Sequence, residues 1–200
     1  MLTPSPFSTD RLVFRAVEPA DCEANGFLVD LLRHESVQLG AAAMATVPLS
    51  QQGVKDFFAP FDKSPIHHVF MTKPDSNRDA RAGGRSGEAV GWVTIERIQW
   101  THRKATFGLV VHPKFQGKGF AKEAMEWLLE RAFVGFGLNK LEADVFTWNE
   151  PALAVYKSLG FIVEGCRRQT IFQQGRFWDD YFIGLLASDW HERQRAKSEQ

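Results

Sequence analysis

Residues 106–133 limit the fold of this chain more than any other stretch. Thr106-Phe107-Gly108-Leu109-Val110-Val111 is an apolar run that ends at His112-Pro113, and Gln116-Gly117-Lys118-Gly119-Phe120-Ala121 follows shortly after. Beyond the glycines, Ala121, Ala124, Met125, Leu128, Leu129, Ala132 and Phe133 recur at helical spacing. The stretch reads as a strand, a glycine-rich turn and an amphipathic helix. Such a turn aims several free backbone N–H groups and the positive end of a helix dipole at one point. Glycine there lets a bulky anion approach the main chain. The expected ligand is a phosphate or pyrophosphate.

The remaining sequence alternates strand and helix signals. Strands are expected over 11–17, 66–72, 89–100, 141–147, 161–172 and 177–186. Pro19 suits the first turn of a helix that carries Phe27, Leu28, Leu31 and Leu32. A looser region spans 35–47, and a short helix with Val54, Phe57 and Phe58 on one side follows. Ala152, Val155, Tyr156 and Leu159 mark a late helix that Gly160 stops. Residues 73–87 hold Pro74, Asp75, Asn77, Asp79 and three glycines without periodicity, and read as an exposed connector. A single domain over 1–190 is expected, with a charged tail over 191–200 that frays.

Composition removes several function classes. Lysine plus arginine equals aspartate plus glutamate, 24 of each, so general nucleic-acid binding lacks its basic surface. No apolar run is long enough to cross a bilayer, and Met1-Leu2-Thr3-Pro4-Ser5-Pro6 lacks the basic and apolar parts of an export signal. A soluble, cytoplasmic protein with no membrane partner is expected. Cys22 and Cys166 read as a reduced pair. His67 and His68 are adjacent and face opposite ways on a strand, with no cysteine or carboxylate at ligand spacing, so no metal is expected.

Three kinds of glycine loop compete for 116–121. A P-loop needs lysine and Ser/Thr after its last glycine, whereas Phe120-Ala121 follow Gly119. A dinucleotide turn needs a third glycine where Lys122 stands. Glu142 and Asp144 lie at a suitable distance for a ribose contact, but too little chain remains for a complete doubly wound domain, so an NAD(P) oxidoreductase is a remote alternative. The pattern Gln/Arg-x-x-Gly-x-Gly/Ala is met by Gln116, Gly119 and Ala121. With the later block Asn149-Glu150-Pro151-Ala152-Leu153-Ala154-Val155-Tyr156-Lys157-Ser158-Leu159-Gly160-Phe161, it resembles the GCN5-related N-acetyltransferases (GNAT). Thr9-Asp10-Arg11-Leu12-Val13-Phe14-Arg15 and Gly175-Arg176-Phe177-Trp178-Asp179 resemble the opening strand and closing hairpin of the RimJ/RimL type.

The resemblance implies an α/β (α+β) GNAT fold with a mixed, mostly antiparallel sheet of six or seven strands, flanked by helices and splayed at a central pair. It implies acetyl-coenzyme A as cofactor, held at its pyrophosphate by Gln116, Gly117, Lys118, Gly119, Phe120 and Ala121. The backbone of Leu109, Val110 and Val111 would meet the pantetheine arm as an added strand does. Asn149 would contact the cofactor or cap the helix. Tyr156 would be the acid near the sulfur, with plain core packing as its other reading.

The base is less legible. Many members of the resembled subfamily carry a carboxylate just before the glycine of the central strand, where Thr106-Phe107 precede Gly108 here. Glu96 is the nearest substitute, against an ordinary salt-bridged residue or a water relay. A lysine-like amine of pKa about 10.4 is only about one part in two thousand neutral at pH 7, whereas an α-amino group is about 10% neutral. A site without a strong base therefore suits a peptide N-terminal amine or a weakly basic small-molecule amine better than a polyamine. The implied reaction is direct attack on the thioester in a ternary complex, by a monomer or homodimer. A noncatalytic acyl-coenzyme A-binding module is the alternative that the missing carboxylate leaves open.

Overall fold

A computed structural model of the protein describes residues 5–41, 47–73 and 87–199. Seven strands form one sheet: β1 (Leu12–Ala16), β2 (His67–Thr72), β3 (Ala89–Gln99), β4 (Lys104–Val111), β5 (Lys140–Phe146), β6 (Ile162–Gln173) and β7 (Arg176–Leu186). Their order across the sheet is β1-β2-β3-β4-β5-β7-β6. Every neighbouring pair is antiparallel except β4 and β5, which run parallel. A parallel pair needs a crossover, and here it is the glycine turn with its helix. This is the mixed, mostly antiparallel sheet expected.

Helices cover both faces. On one lie α1 (Phe27–Arg33), α2 (Glu35–Ala41) and α3 (Gln51–Phe58), whose Leu28, Leu31, Leu32, Val37, Val54 and Phe58 bury Val69, Trp92 and Val110 of the sheet. On the other lie α4 (Phe120–Glu130), α5 (Glu150–Leu159) and α6 (Ala187–Ser198), packed on Phe14, Phe70, Ile95, Phe107 and Leu141. Alternation along each strand sends successive side chains to opposite faces, so one sheet carries two separate apolar layers. No helix among the described residues is long and apolar enough to cross a membrane.

Three local expectations change. The helix expected from Pro19 is broken: Pro19–Cys22 forms one 3-10 turn, and α1 starts afresh after Gly26. A Cβ at Gly26 would lie 2.2 Å from the Asp21 carbonyl oxygen, so the chain doubles back too tightly for any other residue. The region read as loose over 35–47 begins with α2, and 42–46 lie outside the described residues. The charged tail is helical to Ser198, because Trp190 is buried against Phe133 at 5.6 Å and Arg193 donates to the Ser158 carbonyl at 2.9 Å. Most of the connector expected over 73–87 lies outside the described residues.

Candidate active site

The site begins where β4 and β5 part. They pair only at Lys104↔Lys140, Ala105↔Leu141 and Thr106↔Glu142. From Phe107 onward β4 has no strand partner on the β5 side among the described residues. His112 N–H donates to Val90 O at 2.9 Å, which sets the alternation along β4. Val110 and Gly108 turn their backbone groups to β3, while Phe107, Leu109 and Val111 turn theirs to the gap. Of the three residues expected to act as an added strand's partner, Leu109 and Val111 therefore face the gap, Val111 with its N–H alone because its carbonyl accepts from Gln116. Val110 does not: its backbone is paired with Trp92 and its side chain is packed in the α1–α3 layer. Gln116 Nε2 donates to Val111 O at 3.0 Å and ties the loop to the mouth of this gap.

The loop itself has the geometry of an anion cradle. Gly117 and Gly119 sit at φ 72° and 80°, in the left-handed region that other residues enter at a cost. Gly119 is the N-cap of α4 and places the amides of Phe120, Ala121 and Lys122 in its first turn, where no intrahelical acceptor exists. The amides of Gly117 and Gly119 make no backbone hydrogen bond among the described residues. A Cβ at Gly117 would meet nothing within 4 Å, so the loop surface is open. Lys118 is turned back, its Nζ donating to the Lys114 carbonyl at 2.9 Å.

Tyr156 stands at the vertex of the gap. Its ring meets Phe107, the first residue of β4 beyond the paired segment, at 5.3 Å and edge-on, and meets Phe161 at 5.7 Å. The residue is 8% exposed, and its hydroxyl has no hydrogen-bond partner among the described residues. Burial pushes the phenol's pKa far above its ordinary value. Asn149 has two protein partners: its Oδ1 accepts from the Ala152 amide at 3.3 Å as the N-cap of α5, and its Nδ2 donates to the Gly40 carbonyl at 2.8 Å. It joins α5 to α2, as Trp148 does through Leu39 at 2.9 Å. The capping role is thus the one its contacts describe.

Glu96 lies at the same level on the other side of the sheet. It pairs with Thr106, the last residue of β4 joined to β5, and shares the α1–α3 face with Trp92 and Thr94. Its side chain is 27% exposed, and the nearest cation is Arg97 at 4.0 Å, itself 73% exposed. Burial raises the Glu96 pKa; Arg97 opposes this and Asp144 adds to it. The Asp144–Glu96 proximity depends on strand order, which spacing along the sequence does not reveal.

Arg167 of β6 neutralises the other carboxylates nearby. Its Nε donates to both Asp180 oxygens at 3.1 and 3.2 Å, and an Nη2 lies 2.5 Å from Asp144. Thr170 Oγ1 also donates to Asp180 at 2.6 Å. Burial alone would raise the Asp180 pKa, but the bonds from Arg167 and Thr170 hold it below the usual carboxylate range. Asp180→Asn should therefore cost about 1.5–3 kcal/mol in chemical denaturation at neutral pH. The difference from wild type should vanish as pH falls through the lowered folded-state pKa, because there the native carboxylate is also protonated.

Asp30, His34 and His112 bring ligand-type atoms within 4.8 Å of one another, a grouping that sequence spacing does not reveal. His112 Nε2 lies 3.0 Å from Asp30 while its Nδ1 accepts from the Lys114 amide at 3.2 Å. Both ring nitrogens are thus spent on protein partners, and the contact ties α1 to the end of β4.

A sheet opened at a parallel central pair, with a glycine turn leading from one strand into the crossover helix, defines a class. The acetyltransferase (GNAT) domain matches residues 11–162, and the chain belongs to that family. Among its relatives, a spermidine N(1)-acetyltransferase of Escherichia coli K12 is 36% identical over 91 residues, 46% of this chain and 49% of that protein. An L-amino acid N-acetyltransferase of the same organism is 31% identical over 102 residues, 50% of this chain and 63% of that protein. The aligned stretch thus spans about half the length of the first of these relatives. A solved spermidine N-acetyltransferase from Vibrio cholerae, in complex with CoA and spermine, superposes with a TM-score of 0.74. That likeness covers 92% of this chain and 99% of the other at 22% identity, and it concerns the fold.

Proposed function

We propose that this protein is an acetyl-coenzyme A-dependent N-acetyltransferase that acetylates a primary amine by direct attack within a ternary complex. What supports the reading most is that Glu96 and Tyr156 stand at one level of β4, on opposite faces of the sheet, where the gap between β4 and β5 opens. Acetyl-coenzyme A would supply the activated acetyl group as a thioester. The amides of 116–121 would hold its pyrophosphate, and the backbone of Leu109 with the Val111 N–H would pair with its amide-bearing arm.

The two sides of the gap then have separate tasks. Glu96 receives the amine's proton from the α1–α3 face, and burial makes its carboxylate a stronger base than a solvated one. Tyr156 keeps its proton at every physiological pH. It is a weak acid, so it stabilises negative charge on a leaving sulfur by donating a hydrogen bond rather than by full transfer. Activity should fall as pH drops through the raised Glu96 pKa, because the protonated carboxyl is no base. Glu96→Gln should flatten that acidic limb of the kcat/KM profile and lower the rate severalfold. An unchanged limb would remove Glu96 from the reaction.

The acceptor is read as a small-molecule amine, and relatives named for spermidine and L-amino acids support this. The preference for a weakly basic acceptor rested on a site without a base. The raised pKa of Glu96 weakens that premise and leaves peptide N-termini and more basic amines both in play. We propose that the chain is of the RimJ/RimL type, which its opening segment Thr9–Arg15 and its closing hairpin Gly175–Asp179 resemble. Incubation with acetyl-coenzyme A and mixed amines, followed by mass measurement of products, tests the reading. Acetylated small amines are expected, and acetylation of peptide N-termini alone would overturn the acceptor assignment.

A further inference from the structure

The glycine loop is braced from outside by a residue that the proposed chemistry does not use. Arg11, at the entry to β1, donates from Nη1 to the Lys118 carbonyl at 3.0 Å and from Nε to Glu123 at 2.6 Å. Its backbone N–H donates to Glu123 at 2.8 Å, and Thr9 Oγ1 donates to the same oxygen at 2.5 Å. The Arg11 carbonyl accepts from the Lys73 amide at 2.8 Å, so the backbone that carries the guanidinium is itself fixed. The guanidinium also lies over the Phe120 ring, 4.6 Å from its centre. A charged fork is thus held by hydrogen bonds and an aromatic face against the turn between Lys118 and Phe120.

Two consequences follow from elementary geometry and charge. No peptide bond among the described residues is cis. In a trans peptide the C=O and the following N–H point in opposite directions. By holding the Lys118 carbonyl on its own side, Arg11 turns the Gly119 N–H away from itself, and that amide has no backbone acceptor among the described residues. Glu123, in the first turn of α4, would set a negative charge beside any anion bound at that helix start. The guanidinium of Arg11 offsets that charge at 2.6 Å.

We propose that Arg11 is a positioning residue for the pyrophosphate: it fixes the direction of the Gly119 amide and neutralises Glu123 beside the anion. The inference rests on the reading of 116–121 as a pyrophosphate loop. It assigns Arg11 a role in donor affinity, with no contact to the acetyl group or the amine.

Comparison of two donors tests it. Acetyl-pantetheine carries the thioester and the arm but no pyrophosphate. Arg11→Ala should raise KM for acetyl-coenzyme A, and Kd for coenzyme A by calorimetry, at least tenfold with kcat retained. Its kcat/KM with acetyl-pantetheine should match that of wild type. Arg11→Lys, which keeps the charge but not the fork, should show the same donor split to a smaller degree. It carries the test alone if the alanine variant does not fold. Equal losses with both donors, or an unchanged affinity for coenzyme A, would overturn the positioning role. A wild-type protein that uses the two donors equally would instead overturn the loop reading itself.

Discussion

Gly119→Glu should abolish coenzyme A binding, weakening affinity by more than about a hundredfold. Two costs add. Gly119 sits at φ 80°, a region where a residue with a Cβ is strained by about 1–3 kcal/mol. The new carboxylate would then stand at the start of α4, where the anion is to bind, and repel it. A Cβ at this position would lie 3.4 Å from an Arg11 Nη2, so part of the glutamate would also disturb the brace. Calorimetric titration of a folded variant, verified by circular dichroism, measures the effect. Retained affinity would mean that the anion site lies elsewhere.

Tyr156→Phe should lower kcat about tenfold or more while the dissociation constant for coenzyme A stays within about twofold. The substitution removes one oxygen and keeps the ring, so the edge-on contact with Phe107 and the packing on Phe161 survive. No hydrogen bond among the described residues depends on that hydroxyl, so stability should change little. A tyrosine present only to fill the core would show the reverse pattern of unchanged turnover. Thermal unfolding measured beside the kinetics separates the two.

Much of the frame was legible because local signals agreed with one another. The run from Thr106 through the glycines to Phe133 is strand, turn and helix start, apart from a π-helical turn at Arg131–Gly135 that ends the helical stretch. Gly160 closes α5 at φ 104°, as its place after Leu159 suggests. Where the reading failed, the deciding contact was distant in sequence or invisible to periodicity. The break at Gly26 follows from a close approach to the carbonyls of Ala20 and Asp21, and the C-terminal helix is anchored by Trp190 on Phe133.

The candidate site shows the same division. The glycine loop and Tyr156 lie in local motifs. That Val110 faces β3 follows only once the register of β3 and β4 is known. The relation of Glu96 to Asp144, and the hold of Arg167 on Asp144 and Asp180, require the strand order β3-β4-β5-β7-β6. Arg11 could have been suspected from its place in the opening block, but its partners Lys118 and Glu123 are more than a hundred residues away.

The proposed function requires transfer of an acetyl group from acetyl-coenzyme A to an amine. Thiol release from acetyl-coenzyme A, followed with the wild-type protein and a panel of primary amines, tests this most directly. Release that depends on the amine and saturates in both substrates is the result predicted. Tight coenzyme A binding without release on any amine would contradict the account and leave a noncatalytic acyl-coenzyme A-binding module in its place.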